Sequence, residues 1–465
     1  MSRSWLIVPL LILYLLNLGG VGFLGPDEPR YASIGRAMAV SHDFITPRLD
    51  GLPWFEKPPL VYWMTAAGRF VGLRDEWAAR FPLALLSVVF IVFFFNMLER
   101  EFSLRVAVYA TTILATSAGW LAYSFVSVTD LPMSGLLAAA MMIAMFDTRR
   151  EVGYAAGALL GLSILAKGFV PLVLFAPLFL IARGKRLTML AGCALVAAPW
   201  YLLCLQNNGS VFWKEFFWRQ HFERFFTSSL QHVQPFWFYI PVLLAGLFPW
   251  IPLAGVLFRG KTYEDARVRF LSVWLVYALL FFSIARNKLP GYALPLLPAL
   301  AIVLACGLVK TGSLEKWWLA ASALMLVALP VIAAGLPEAL LDGIRHVPFV
   351  FTPGLPFLLV APAVFYLAQR EKPIVAMVVA GLGVLVGVAY LKHATFPVLD
   401  QRVSVREFWR ANREQINHAC VAENVRREWQ YGLNYYAGHP LATCGPGDLP
   451  KITVDRGLLA LQRRP

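Results

Sequence analysis

Charged side chains are scarce in this chain. Asp, Glu, Lys and Arg make up 15% of its 465 residues, hydrophobic residues 59%, and the mean hydropathy is +0.63. That is well above the apolar share of a soluble domain. It excludes a secreted soluble enzyme, a disordered regulator and any sheet-based soluble fold over roughly the first 390 residues. Acid is scarcer than base, 27 residues against 41, a formal charge of +14. In a soluble chain this excess would suggest nucleic acid. Here the basic residues stand at the ends of apolar runs, so topology and anionic lipid headgroups account for them, and no nucleic-acid partner is expected. Also missing are a zinc-type cysteine spacing, a P-loop and a GxGxxG that opens a βαβ unit, so no nucleotide site is expected. The polar/apolar alternation of a membrane barrel is absent too, which leaves helices as the spanning elements.

Apolar runs of roughly 16–23 residues recur along the chain. They fall at 5–24, 78–98, 104–123, 131–146, 152–166, 168–181 and 187–205, then at 236–258, 268–284, 291–309, 314–336, 351–368 and 373–391. The expected fold is an all-α polytopic membrane protein with about thirteen spans. The first run has no small-residue cleavage site after it and is expected to stay as a signal anchor. Arg100, Arg105, Arg149, Arg150, Arg183, Lys185, Arg186, Arg259, Lys261, Arg267, Arg269, Lys310, Lys316, Arg370 and Lys372 all fall in loops of one parity. By the positive-inside rule that side is cytoplasmic. The stretch 152–182, interrupted by Lys167-Gly168 and Pro171, is read as two crossings because basic clusters flank both of its ends.

Residues 1–391 thus form the transmembrane domain, and 392–465 a small extracytoplasmic α/β appendage, with strands expected at 419–423 and 440–443 and a helix at 426–436. Cys193, Cys204 and Cys306 lie in spans, whereas Cys420 and Cys444 share the exported tail, where a disulfide between them is a hypothesis.

The first external loop, residues 25–77, is long enough to hold helices of its own. Asp27-Glu28-Pro29 reads as a helix start, so Asp27 is either an N-cap or a catalytic carboxylate at the membrane surface beside Arg30. Glu56-Lys57, ahead of two prolines, is either a surface ion pair or part of a site, and 60–73 reads as an interfacial helix. Asp130 stands at the outer mouth of a span, where capping is the plain alternative. Lys167 is an ionisable residue inside an apolar stretch, a functional-site hypothesis by default. The segment 206–235 is rich in aromatic and basic residues and reads mostly as an interfacial helix, on which His221 and Arg224 share a face. Loop parity puts all of these residues, with Arg286, Lys288 and Tyr292, on the outer side.

Five segments carry a resemblance. DEPRYA (27–32), FEKPPL (55–60), the mouth at Asp130, Lys167-Gly168 and NKLPGYALPLLPAL (287–300) resemble the bacterial lipid-linked sugar transferases of the GT-C type. That family includes the aminoarabinose transferase of lipid A and the protein mannosyltransferases. Pro29, where the family pattern has Ala, and Gly291, where it has Thr, depart from it. The resemblance implies a sugar carried on polyprenyl phosphate and transferred outside the bacterial cytoplasmic membrane to lipid A, protein or another envelope glycan. It implies Asp27, then Asp130, as the catalytic carboxylates. Arg30, Lys57, Lys167, Arg224, Lys288 and Tyr292 would serve the lipid phosphate, and Glu56 with His221 would hold a divalent metal (Zn, Mg or Mn). A transporter or flippase of a lipid-linked substrate is the other class considered. The charges gather on one face instead of at the midplane, and the hydropathy carries no inverted repeat, which counts against it.

Overall fold

The computed structural model describes residues 4–223, 234–347, 354–445, 447, 450–455 and 457–462. The amino-terminal half runs through helices α1 (Ser4–Leu15), α2 (Asp27–Ser41), α3 (Leu60–Phe70), α4 (Asp75–Glu101), α5 (Leu104–Thr116), α6 (Ala118–Ser124), α7 (Asp130–Phe146), α8 (Val152–Lys167), α9 (Val170–Ile181) and α10 (Arg186–Phe212). A π-helix, Trp213–Glu223, continues α10. The rest runs through α11 (Tyr239–Leu247), α12 (Ala266–Ile284), α13 (Leu296–Val309), α14 (Glu315–Leu324), α15 (Leu329–Leu341), α16 (Val360–Gln369) and α17 (Pro373–Arg402). The chain closes with α18 (Arg406–Ile416) and α19 (Arg427–Ala437).

The bundle helices α4, α7, α8, α12, α13 and α17 are apolar on all sides, as lipid-immersed helices are. Leu195, Leu202, Val273 and Val386 stay exposed, while one continuous apolar core runs from Leu10 to Val384. Close packing is set by small residues. Gly153, Gly157 and Gly161 recur every fourth position along α8, and a Cβ on Gly157 would lie 2.1 Å from the Met189 carbonyl oxygen of α10. Only glycine lets the two backbones approach so closely.

Among the described residues, five continuous helical stretches are long and apolar enough to cross a membrane: Asp75–Glu101, Arg183–Gln220, Ala266–Ile284, Gly312–Leu341 and Pro373–Ile416. Other expected spans are broken. The run 5–24 is helical only over Ser4–Leu15, because Asn17 turns to φ 51° before the Gly19-Gly20 pair. The unwound carbonyls of Leu18, Val21 and Gly22 are taken up by the buried Arg80 guanidinium at 3.0, 2.7 and 2.9 Å, so the backbone stays satisfied. The run 104–123 bends by 58° between α5 and α6, where Ser117 is extended. The run 236–258 holds α11 between two 3-10 segments. Stretch 152–182 forms α8 and α9, separated at Gly168, whose φ of 94° suits glycine.

Acids and bases from distant segments meet at one end of the bundle. Arg267 donates to the Glu101 carbonyl at 2.7 Å, Lys310 pairs with Glu264 at 3.0 Å, and Arg105 pairs with Glu315. The opposite end carries the first loop, with α2, α3 and a short hairpin of β1 (Arg48–Leu49) and β2 (Leu52–Pro53) around a small core of Tyr31, Ile34, Val61 and Tyr62. The C-terminal segment sits on this loop. Arg406 bonds the Gly19 carbonyl at 2.8 Å, Asp400 takes the Gly22 amide at 2.7 Å, and Tyr435 bonds Asp75 at 3.2 Å.

That segment has its own core of Val405, Ile416, Val421, Trp429, Leu433 and Ile452. Its sheet runs β3 (Cys420–Val421) parallel to β4 (Lys451–Asp455), with β5 (Leu458–Gln462) antiparallel to β4. The expected strand 440–443 contributes a single bridge, Thr443 to Val421, on the edge of β3 opposite β4. Cys420 and Cys444 form a disulfide with Cα atoms 4.9 Å apart.

Candidate active site

The site is assembled from separate segments at the end of the bundle beneath the first loop. Helix α2 begins at Asp27 behind Pro26, with Pro29 in its first turn, where its missing N–H costs nothing. Pro26 is the N-cap residue, so Asp27 is not a cap; it pairs instead with Arg30, one turn on. Arg30 Nη1 also donates to Glu56 Oε2 at 2.9 Å, and Glu56 Oε1 lies 3.4 Å from Lys57 Nζ. Phe55 holds this second segment by packing its ring 5.2 Å from that of Phe212. Burial disfavours the Arg30 charge, but Glu56 and Asp27 outweigh it, and its proton is held more tightly than in water.

Asp130 opens α7 and Lys167 closes α8, and the two form an ion pair. Thr129 is the N-cap, so the capping reading of Asp130 does not hold either. Lys167 Nζ lies 4.6 Å from the centre of the Tyr292 ring. A Cβ on Gly291 would fall 2.5 Å from Asp130 Oδ1 and 2.7 Å from the Tyr123 hydroxyl, so glycine is what lets that backbone lie against both.

A cavity joins these pieces. Its polar lining is Glu56, Lys57, Lys167, Gln220, Asn287 and Tyr292; Met133, Val170, Phe281, Phe282 and Ala285 form its apolar wall. Two lysines over an apolar wall suit an anionic head on a hydrocarbon tail.

Glu56, Lys57, Lys167 and Tyr292 thus meet at the cavity, with Arg30 behind Glu56 and Asp130 behind Lys167. Asp27 is not on the wall; its side chain is 43% exposed on the solvent side of Arg30. Lys288 is turned away and donates to the carbonyls of Ala285 at 2.6 Å and Gln234 at 3.1 Å, so Asn287 takes the place at the wall expected for it. Arg224 and the side chain of His221 lie outside the described residues. Among the described residues no group of three or more His, Cys, Asp or Glu could hold a metal. Glu56 has a cation on each carboxylate oxygen, an arrangement that opposes a dication there.

Sequence reasoning missed two residues. Tyr123 lies within electrostatic reach of both Asp130 and Asp27, and its only signal was a phenol at the outer edge of an apolar run. Glu28 accepts Arg80 through both oxygens at 2.7 and 2.8 Å and also the amides of Leu24 and Ser127, each at 2.8 Å. One buried carboxylate therefore ties the start of α2, which carries Asp27, to the loop that delivers Asp130.

Residues 56–206 match the family of dolichyl-phosphate-mannose-protein mannosyltransferases. An undecaprenyl phosphate-α-4-amino-4-deoxy-L-arabinose arabinosyl transferase of Pseudomonas fluorescens is 32% identical over 342 residues, 68% of this chain and 62% of that one. Its counterpart in Erwinia tasmaniensis is 34% identical over 347 residues, 69% of this chain and 62% of the relative. The chain therefore matches about three fifths of the length of these relatives. ArnT from Cupriavidus metallidurans, crystallised with undecaprenyl phosphate, shares the fold with a TM-score of 0.77 over 96% of this chain and 87% of that one, at 23% identity. Fold and site define a helical membrane protein of the GT-C type. In sequence the chain is similar to polyprenyl-phosphate-sugar-dependent glycosyltransferases, the aminoarabinose transferases and the protein mannosyltransferases among them.

Proposed function

We propose that the protein is an integral-membrane glycosyltransferase that moves aminoarabinose, mannose or a related sugar from polyprenyl phosphate to lipid A, protein or another envelope acceptor. The observation that carries this is the cavity in which Lys57 and Lys167 overhang an apolar wall, next to two carboxylate–cation pairs. The names of the relatives, which act with undecaprenyl phosphate, support the donor class.

In the reaction the bond from the anomeric carbon to the phosphate oxygen breaks, and its electron pair leaves with the phosphate. Lys57 and Lys167 meet the growing negative charge, Tyr292 donates a hydrogen bond to it, and Arg30 holds Glu56 and thereby Lys57 in place. The acceptor oxygen attacks from the opposite side. Asp27, already fixed by Arg30, takes its proton or, where the acceptor is itself a phosphate, orients the sugar. Asp130 is the second carboxylate, held by Lys167. No step runs through the metal that the resemblance implies at Glu56 and His221.

The finer architecture belongs to the same proposal. Thirteen crossings would bring the site end and residues 392–465 to the periplasmic face of the inner membrane, as an appendage to the domain 1–391. The basic cluster at the other end, Arg105, Arg267 and Lys310 among it, supports that orientation.

The test is a reconstituted assay with a set of polyprenyl-phosphate sugars and an envelope extract, following release of free polyprenyl phosphate. We expect release that depends on acceptor and falls by about 10²–10⁴ in Asp27→Asn, the range for a general base. Labelled lipid that changes leaflet without release would overturn the transferase in favour of a transporter.

A further inference from the structure

The broken span of α5 and α6 ends at the site. Helix α6 is tightly held: the Ala118 amide donates to the Phe248 carbonyl, the buried Trp120 Nε1 to Ser87 Oγ and the Ser124 hydroxyl to the Trp120 carbonyl, each at 2.8 Å. Gly119 lies so near α11 that a Cβ on it would stand 3.1 Å from the Gly246 Cα. Just past the helix, Glu28 accepts the Ser127 amide. Tyr123, half-buried, is therefore carried by a fixed piece of backbone.

The Tyr123 hydroxyl and Asp130 Oδ1 converge on Gly291, 2.7 and 2.5 Å from the place of a Cβ. Gly291 stands in the 3-10 turn Pro290–Ala293 without the positive φ that favours glycine, so what the missing side chain supplies is room. Asp130 pairs with Lys167, whereas the Tyr123 hydroxyl has no hydrogen-bond partner among the described residues.

This room lies where a donor sugar has to be. Lys167, the partner of Asp130, and Tyr292, the neighbour of Gly291, both line the cavity. Tyr123 is within electrostatic reach of Asp27 as well as of Asp130 and Tyr292. With the donor phosphate at the lysines and the acceptor oxygen at Asp27, the sugar ring falls between them, beside Tyr123.

We infer that the Tyr123 hydroxyl and Asp130 together hold one hydroxyl group of the donor sugar, in the room that Gly291 leaves. This rests on the proposed transferase reading and adds a contact that selects its sugar. A sugar hydroxyl suits the pair because it donates its proton to the carboxylate and accepts that of the phenol. An ammonium group does not, because Lys167 already offsets the Asp130 charge and would face a second cation. An amino sugar is therefore held here through one of its hydroxyls.

The test reads donor binding without turnover. The full-length protein in detergent, with no acceptor present, is titrated with undecaprenyl phosphate and with undecaprenyl phosphate that carries 4-amino-4-deoxy-L-arabinose or mannose. We expect one of the sugar-bearing lipids to bind about tenfold tighter than undecaprenyl phosphate. Tyr123→Phe, which loses one neutral hydrogen bond, should lower that preference by about three- to tenfold. Its affinity for undecaprenyl phosphate should be unchanged, which also reports that it is folded. Gly291→Ala, whose methyl wedges between the two oxygens, should erase the preference and gives a second, independent reading. An undiminished preference in either variant, or equal binding of all three lipids by the unaltered protein, would overturn the contact. So would a loss of affinity for undecaprenyl phosphate itself in Tyr123→Phe, since the phenol would then belong to the frame of the site. A protein that keeps the preference yet transfers no sugar would strike the transferase reading alone.

Discussion

Glu28 offers the sharpest test of how the site is held. Its carboxylate is fully buried against Arg80, which is 1% exposed, and its two oxygens accept four N–H groups: Arg80 Nε and the Ser127 amide at Oε1, Arg80 Nη2 and the Leu24 amide at Oε2. Glutamine keeps the shape but offers one oxygen, and its amide would face two donors. The guanidinium would keep its three carbonyl partners and lose its counter-charge. Breaking a buried pair on one side costs about 3–5 kcal/mol. If that cost appears as local opening, exchange of the amides around Ser127 and Leu24 should quicken by roughly 10²–10⁴. Hydrogen–deuterium exchange of Glu28→Gln in detergent, read on peptides covering 18–28 and 125–130, measures this directly. A melting temperature and exchange rates equal to those of the unaltered protein would refute the reasoning. A second variant, Glu28→Leu with Arg80→Met, should be no more stable than Glu28→Gln, because it leaves no buried charge but orphans the carbonyls of Leu18, Val21 and Gly22 and the amides of Leu24 and Ser127.

Lys57→Ala should weaken binding of undecaprenyl phosphate by about tenfold to hundredfold, the value of a hydrogen bond from a charged donor. Titration in detergent checks it, and an unchanged affinity would remove Lys57 from the phosphate site. Cys444→Ser opens a bridge between residues 24 positions apart and should cost the C-terminal segment about 3–4 kcal/mol by loop entropy. Limited proteolysis should then cut within 405–462 sooner than in the parent, and equal rates would count against the bridge as a stabiliser.

Much of the site was legible before any fold was known. Asp27 and Arg30 are three apart behind a proline, so one helical face had to carry both. Lys167 in an apolar stretch was marked by its cost alone, and loop parity had put it on the same side as Asp130, Glu56 and Tyr292. The capping readings of Asp27 and Asp130 gave way because the residue before each took the cap position. Strands β4 and β5 escaped notice because their short alternation is fixed by pairing with each other.

Composition and hydropathy were sufficient for a helical membrane protein, since a backbone in lipid must satisfy its own hydrogen bonds and few folds can. Which acid meets which base was beyond them. Asp130 finds Lys167 across 37 residues, Glu28 finds Ser127 across 99, and Tyr431 lies on Arg30 from the far end of the chain. Local periodicity says which face a residue occupies, but such pairs depend on how helices pack. That is why the residues that line the cavity could be read from motifs, whereas the packing of α19 against Arg30 emerged only in the folded molecule.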